Sequence, residues 1–366
     1  MQRIIFTVTN DLNYDQRMQR ICTSLAIAGY DVLLVGRKMK NSIPLQQQSF
    51  VQKRLNCIFQ RSILFYAEFN LRLFFYLLFK KMNALCAIDL DTILPVYFVS
   101  AIRGKKRMYD AHELFTEQKE IVTRPSVHRS WLAIERFAVP KFRNGYTVNE
   151  FIVQELNRRY HVQYGLIRNL PKYVDLPENT QHQSNEKFLI YQGAVNEGRG
   201  FETLIPAMKN VNCTLRIFGQ GNFFDEVKQL IKEHQLEKKV FLEGPVLPAE
   251  LKKITPVAHL GMMIFENEGM NQYQSLSNRF FDYIMAGIPQ LCVAYPEYKK
   301  INDQYHIAYM IDDINIESIE KALNSILSDE AGYAAIKENC VQARTELNWE
   351  KEEKKLGELY FQFLKK

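Results

Sequence analysis

A chain of 366 residues, 47% apolar and 24% charged, holds enough apolar material for two hydrophobic cores, which excludes a disordered chain. No run of about 18 uncharged apolar residues occurs, which argues against a membrane-spanning helix, and the six cysteines (Cys22, Cys57, Cys86, Cys213, Cys292 and Cys340) fall at no CxxC spacing, as expected of reduced thiols in a cytosolic protein. Charge is divided unevenly: residues 1–171 carry 25 Lys and Arg against 13 Asp and Glu, the remainder 22 against 28, so the first half favours an anionic partner such as phospholipid, a phosphorylated acceptor or nucleic acid.

The chain opens on Arg3–Val8, which reads as a first strand rather than a leader. Further strands are predicted at Asp31–Val35, Ala84–Ile88, Lys106–Tyr109, Gly145–Val148 and Tyr164–Ile167. In the second half they are predicted at Phe188–Tyr191, Thr214–Phe218, Val240–Leu242, Leu260–Ile264 and Gln290–Val293. These runs are short, apolar and unalternated, as strands buried on both faces of a parallel sheet are. Helical stretches such as Gln16–Ala28, Trp131–Arg143 and Phe223–His234 fall between them. Repeated strand–helix units with right-handed crossovers give doubly wound sheets. The expected organisation is an N-terminal Rossmann-like domain over 1–170, a Pro-containing linker over 171–187, a second Rossmann-like domain over 188–345, and a helical tail over 346–366 that docks on the first domain.

Residues 53–81 combine Lys53, Arg54, Arg61, Arg72, Lys80 and Lys81 with two aromatic runs, 63–66 and 73–79, against the single acid Glu68. Such a helix suits an anionic bilayer surface; its other reading is a core helix, since apolar residues occur on all its sides. No aromatic–basic motif for nucleic acid accompanies the charge, and no nucleic-acid partner is expected.

Three segments of the second half lie at strand-to-helix turns, where open α/β sheets bind ligands. In the first, Gly193 lets backbone approach a diphosphate and Arg199 supplies a fork-shaped cation before the helical run from Phe201. The second holds Gly219 and Gly221, a weak GxG pattern on its own. The third runs from Gln274 through Ser275, Leu276, Ser277 and Asn278 to Asp282, with Ser277 and Asn278 as helix caps and Gly287 and Pro289 as stops. A carboxylate at Asp282 has the acceptors to take both hydroxyls of a ribose.

The segment from Asp282 to Pro289 resembles the Ala-Gly-x-Pro helix end of family-4 retaining glycosyltransferases of the GT-B fold (glycosyl transferases group 1). Further stretches agree in order along residues 1–296: Asp15 to Arg20, Gly29 to Val32, Tyr109 to Leu114, Thr147 to Glu150, Arg168 to Pro171, Gly219 to Gly221, and Leu242 to Val246 with Gly244. The resemblance implies an α/β GT-B architecture, two Rossmann-like doubly wound parallel-sheet domains facing a central cleft. It also implies a retaining transfer from a UDP- or GDP-sugar to a glycan or lipid-linked acceptor in polysaccharide or lipopolysaccharide synthesis, without a metal or other cofactor. The donor would be held by Gly193, Arg199, Gly219, Gly221, Gly244, Val246, Gln274, Ser275, Leu276, Ser277, Asn278 and Asp282. His112 would hydrogen-bond a donor-sugar hydroxyl, with general-base assistance second, and Glu113 would orient it or touch the acceptor. The implied location is the cytoplasm, at the inner face of its membrane.

The sequence departs from that family at three positions. Gln274 stands for the first Glu of a Glu–seven residues–Glu pattern, Asp282 for the second, and Ala194 for an Arg that often follows the glycine. Gln still hydrogen-bonds hydroxyls but cannot balance positive charge at an anomeric carbon. Arg279 is the residue able to replace the missing cation if its helix faces the site. Asp89-Leu90-Asp91 reads as a strand end and helix start rather than a metal triplet. The alternatives are a GT-B nucleotide-sugar epimerase and a non-catalytic GT-B binding protein.

Overall fold

The structure, a computed structural model, describes residues 1–176 and 187–365. The chain forms two compact units, Met1–Asn169 with Glu352–Lys366, and Leu170–Lys351. Of the expected linker, residues 177–186 lie outside the described residues, and 171–176 pack within the second unit. There the Trp349 amide donates to the Pro171 carbonyl at 2.8 Å, and Arg344 donates to the Val174 carbonyl and stacks on Tyr173.

The first unit contains β1 (Arg3–Thr7), β2 (Asp31–Lys38), β3 (Val51–Asn56), β4 (Ala84–Ile88), β5 (Lys106–Ala111), β6 (Asn144–Thr147) and β7 (Gln163–Leu166). They form one parallel sheet in the order β3-β2-β1-β4-β5-β6-β7. Every residue of β4 is buried, as its apolar run requires. β3 is the strand its sequence conceals: Val-Gln-Lys-Arg-Leu-Asn sits at the sheet edge, buries only Leu55, and draws β2 out to Lys38 by pairing with it. The helix expected from Trp131 begins instead at Pro125 and ends at Ala138. Proline suits a first helical position and Pro140 cannot continue the ladder, so a 3-10 turn over Val139–Lys141 follows. Of the tail helix Trp349–Lys365, residues from Glu352 onward belong to this unit. They bury Leu356, Tyr360, Phe363 and Leu364, and Lys106 caps the helix by donating to the Leu364 carbonyl at 2.7 Å.

The helix Ser62–Leu78 divides its apolar residues between two faces. Phe65, Phe69, Leu73 and Leu77, each four residues from the last, enter the core. Leu71 and Phe75 on the other side are more than half exposed, at 59% and 53%, and Phe79 just beyond the helix is 80% exposed.

The second unit contains β8 (Phe188–Gln192), β9 (Thr214–Phe218), β10 (Val240–Gly244), β11 (Leu260–Met263), β12 (Gln290–Val293) and β13 (Ala308–Ile311). They form a parallel sheet ordered β10-β9-β8-β11-β12-β13. β13, four residues at an edge, lies outside the expected strands although its run Ala308–Ile311 is apolar throughout. Gly261 in β11 is required by packing, since a Cβ there would meet the Tyr283 ring at 2.4 Å. Gly261→Ala is expected to lower stability in chemical denaturation by about 1–3 kcal/mol, the cost of overpacking a filled core.

Candidate functional site

Each sheet reverses its strand order once, at β8 in the second unit and at β1 in the first. Loops leaving the strand ends on either side of such a point turn apart and leave a crevice. The side chains of chemical interest collect at these two places.

In the second unit, the loop after β8 runs from Gly193 to Gly200. Gly193 has φ 126°, and the Arg279 Nη1, 3.9 Å from the position of an added Cβ, is the one atom near that position. Gly219 and Gly221 have a packing reason to be glycine. A Cβ on Gly219 would lie 1.8 Å from the Gly193 carbonyl oxygen and one on Gly221 2.2 Å from that of Val195. The loops after β8 and β9 are zipped backbone to backbone by Gly193 N–H to Phe218 at 2.9 Å, Val195 N–H to Gln220 at 3.2 Å and Phe223 N–H to Val195 at 3.0 Å. Gly219 N–H in turn donates to Gly244 at 2.8 Å. Gly244 ends β10 at a register irregularity and has open space where a side chain would point. Val246 is half-buried against the core.

Gln274 closes the short helix Met270–Tyr273, and its amide donates to the Met270 carbonyl at 3.0 Å. The next helix, Asn278–Met285, is preceded by Ser277, whose amide donates to the Tyr298 hydroxyl at 2.8 Å; Ser275 hydrogen-bonds the same tyrosine. Leu276 packs half-buried on the core. Asn278 is exposed at the first helical position and Asp282 half-buried one turn on.

Two arginines belong to these segments. Arg199, in the loop after β8, is half-buried. Arg279 is buried, 8% exposed. Its guanidinium stacks 4.0 Å over the Tyr191 ring, donates from Nη1 to the Gln192 carbonyl at 3.2 Å, and from Nε contacts the Met263 sulfur at 3.2 Å. Burial pulls its pKa down, but the Tyr191, Tyr283 and Tyr298 oxygens more than offset that and leave it raised. The loop's far end is shaped by an acid the sequence did not single out. Glu268 lies against Gly198, its carboxylate 2.5 Å from where a Cβ would stand.

In the first unit, His112 follows β5 at the strand end. Its Nε2 lies 3.2 Å from Asp110 Oδ2 and its Nδ1 3.5 Å from Asp89 Oδ2. Asp110, at 0% exposure, is also gripped by Arg17, with Nη2 at 2.9 Å and Nε at 3.3 Å. Arg17 extends to the Ile167 carbonyl at 3.0 Å. Asp89 holds a left-handed φ of 52°, strained for a residue with a Cβ. Its carboxylate accepts the His112 amide at 2.8 Å, which fixes the turn. Asp91 accepts from the Thr9 hydroxyl. Glu113 is half-buried and accepts from Gln118. The triplet Asp89-Leu90-Asp91 is therefore committed to protein donors, and among the described residues no group of three or more His, Cys, Asp or Glu is arranged to hold a metal ion.

Burial alone would lower the His112 pKa, but Asp89 and Asp110 override it and raise it to about 9. Asp110 is held below its ordinary value: burial pushes it up, and Arg17 and His112 more than reverse that. Burial pushes Asp89 and Asp91 up to about 7. At neutral pH the imidazole is an imidazolium with both nitrogens facing carboxylates. In that state both ring nitrogens carry protons and the ring is a donor on either side.

Two parallel-sheet Rossmann-like domains, each with polar groups at its strand C-termini, define the GT-B fold. Residues 175–343 match the family model described as glycosyl transferases group 1. Solved structures share the whole fold. Sucrose-phosphate synthase from Thermosynechococcus elongatus aligns at 17% identity and TM-score 0.78, covering 99% of each chain. Anabaena HepE, solved with UDP-glucose, aligns at 10% identity and TM-score 0.75, covering 99% of this chain and 100% of that one. WaaG, a glycosyltransferase involved in lipopolysaccharide biosynthesis, aligns at 14% identity and TM-score 0.72, covering 97% and 99%. No curated protein sequence matches the chain.

Two outcomes follow from the first-unit cluster. Asp110→Asn leaves the buried Arg17 without its carboxylate and His112 with Asp89 alone, and is expected to cost about 3–5 kcal/mol in urea denaturation. His112, raised from 6.5 to about 9, stabilises the fold fully below the lower value, and the contribution is lost as pH rises through the upper one. His112→Asn should thus be less stable than wild type at pH 7, with the gap closing toward pH 10; a gap independent of pH would show that the ring is neutral.

Proposed function

We propose that the protein is a retaining glycosyltransferase that moves a sugar from a UDP- or GDP-sugar to a glycan or lipid-linked acceptor in cell-surface polysaccharide or lipopolysaccharide synthesis. The observation that carries this reading is the Arg279 guanidinium at the end of β8 and the turn that follows, in the loop that also carries Arg199, at the strand-order reversal of the unit that matches glycosyl transferases group 1. Breaking the bond between the anomeric carbon and the diphosphate puts negative charge on the departing phosphate, and a fixed cation there lowers the barrier. In the proposed step the acceptor oxygen bonds to the anomeric carbon on the face the diphosphate leaves. The acceptor proton passes to a phosphate oxygen, and the nucleoside diphosphate departs. No protein nucleophile and no metal enter that scheme. The UDP-glucose held by HepE supports a nucleotide-sugar donor.

The remaining residues take roles consistent with their surroundings. Asp282 accepts ribose hydroxyls. Gln274 hydrogen-bonds the sugar without adding charge. His112 donates to a sugar hydroxyl from a ring oriented by Asp89 and Asp110, and Glu113 meets the acceptor. Arg199→Met is expected to weaken UDP or GDP binding in titration calorimetry about 10- to 100-fold, the scale of one charge-assisted hydrogen bond, and to lower transfer in parallel. Undiminished affinity and transfer would remove Arg199 from the site.

The acceptor is proposed to be met at an anionic bilayer. No helix among the described residues is long and apolar enough to cross a membrane. The exposed row of Leu71, Phe75 and Phe79, beside Lys80 and Lys81, instead suits insertion of aromatic side chains among lipids with lysines at the headgroups. Co-sedimentation with phosphatidylglycerol-containing vesicles tests this. The double substitution Phe75→Ser and Phe79→Ser should abolish pelleting yet leave nucleotide affinity unchanged, and pelleting that survives it would exclude this face.

A further inference from the structure

Arg279 presents a physical problem that the second unit does not solve by itself. A guanidinium taken out of water costs several kcal/mol unless an anion compensates it. Of the other buried arginines of this chain, Arg17 pairs with Asp110, and Arg344, set on the Val174 carbonyl and the Tyr173 ring, has the Asp175 carboxylate acting on its charge. Arg279 has no carboxylate within ion-pair distance among the described residues; its neighbours are a carbonyl, a thioether and a tyrosine ring. The groups that bear most on its charge are Tyr191, Tyr283 and Tyr298, none of them anionic at neutral pH.

The path of the side chain shows where a counter-charge would come from. It leaves the second residue of the helix Asn278–Met285 and crosses β11 at Met263 to end beneath the turn after β8. The turn residue there is Gly193, exposed and without a side chain, and the guanidinium Nη1 lies next to the space that glycine leaves. The neighbouring Ala194, also exposed, adds only a methyl group.

We propose that Arg279 is the principal phosphate-pairing cation of the donor site, reaching the diphosphate through the opening at Gly193 and supplying from below the sheet edge the charge that Ala194 does not. The inference rests on the nucleotide-sugar reading above for the identity of the ligand, but the anion site itself does not require a nucleotide. Its binding energy comes from relieving a buried charge already desolvated in the free protein, so the cation needs no reorganisation when the ligand arrives.

The test uses the full chain and its Arg279→Met and Arg279→Lys variants, with inorganic pyrophosphate, UDP and GDP as probes in thermal-shift and calorimetric titrations. Because Met fills similar space without a charge, Arg279→Met should melt at or above the wild-type temperature without ligand, whereas a purely structural arginine would leave a less stable protein. Pyrophosphate and the better of the two nucleotides should each bind about 30-fold more weakly to Arg279→Met, the scale of one lost charge-assisted hydrogen bond. The lysine variant should fall between. If Arg279→Met does not fold, Arg279→Lys decides: undiminished pyrophosphate affinity overturns the proposal and a clear loss supports it. Wild-type affinity for pyrophosphate in a folded Arg279→Met protein overturns it outright, as does a wild-type protein that binds no pyrophosphate. If UDP and GDP bind wild type no better than pyrophosphate, the nucleotide-sugar reading fails, while the pyrophosphate titrations still decide the role of Arg279.

Discussion

Parallel pairing of the thirteen described strands sends every strand of a sheet out at the same edge, and that constraint organises the chemistry of both units. A chain leaving a parallel strand must turn and climb back through a helix, so each exit places a loop and a helix start at one rim. Loops diverge only where strand order reverses, at β1 and β8. Arg17 and Arg279, the strained Asp89, His112 and the glycines that permit close backbone approach all lie on loops, strand ends or helix starts at these rims.

The two rims handle buried charge in opposite ways. In the first unit, Arg17, Asp110, His112 and Asp89 form an alternating chain of cation and anion, each within reach of the next. Such a chain is costly to assemble and costlier to interrupt, because removal of one member strands its neighbours. It yields a ring of fixed orientation and fixed charge, which is the property needed to present an N–H to a hydroxyl. In the second unit the series stops at one member. Arg279 is oriented just as firmly, by Tyr191 and the Gln192 carbonyl, but the anion that would complete the pair is not a side chain within reach.

Much of the fold was legible because a parallel strand buried on both faces must be apolar throughout. β4, β9 and β12 read from the sequence with the bounds they have in the structure, and most others to within one or two residues. Two edge strands fall outside the expected set. β3 carries Gln52, the exposed Lys53 and an Arg54 whose side chain is buried in its ion pair with Asp11, and β13 is an apolar run of four residues. Glycines were legible as special but not as to why. Gly219 and Gly221 follow from a contact between two loops distant in sequence, which no local pattern encodes. The pairing of His112 with Asp89 and Asp110 was hidden for a similar reason, since β4 and β5 must first lie side by side. Arg279 could be named as a candidate from the family resemblance, as a substitute for the cation missing at Ala194, but its lack of a carboxylate partner among the described residues is a property only of the packed unit.

Neither rim mirrors the net charge of the half that carries it. Residues 1–171 bear a large excess of Lys and Arg, yet in the rim after β1, β4 and β5 the cations Arg17 and His112 are matched by Asp110 and Asp89. The remaining residues have more acids than bases, yet Arg199 and Arg279 stand at their rim. Charges separated by more than about 8 Å are largely screened at physiological salt, so the immediate neighbours decide what a crevice binds. Net charge acts at longer range, on extended partners that many surface groups meet at once. The basic excess of the first half is thus an argument about its outer surface, where Lys80 and Lys81 adjoin the exposed aromatic side chains, and not about its rim. On the proposed reading an anionic small ligand is held by the half whose overall charge disfavours it, because one desolvated guanidinium a few ångströms away outweighs a surplus of solvated carboxylates.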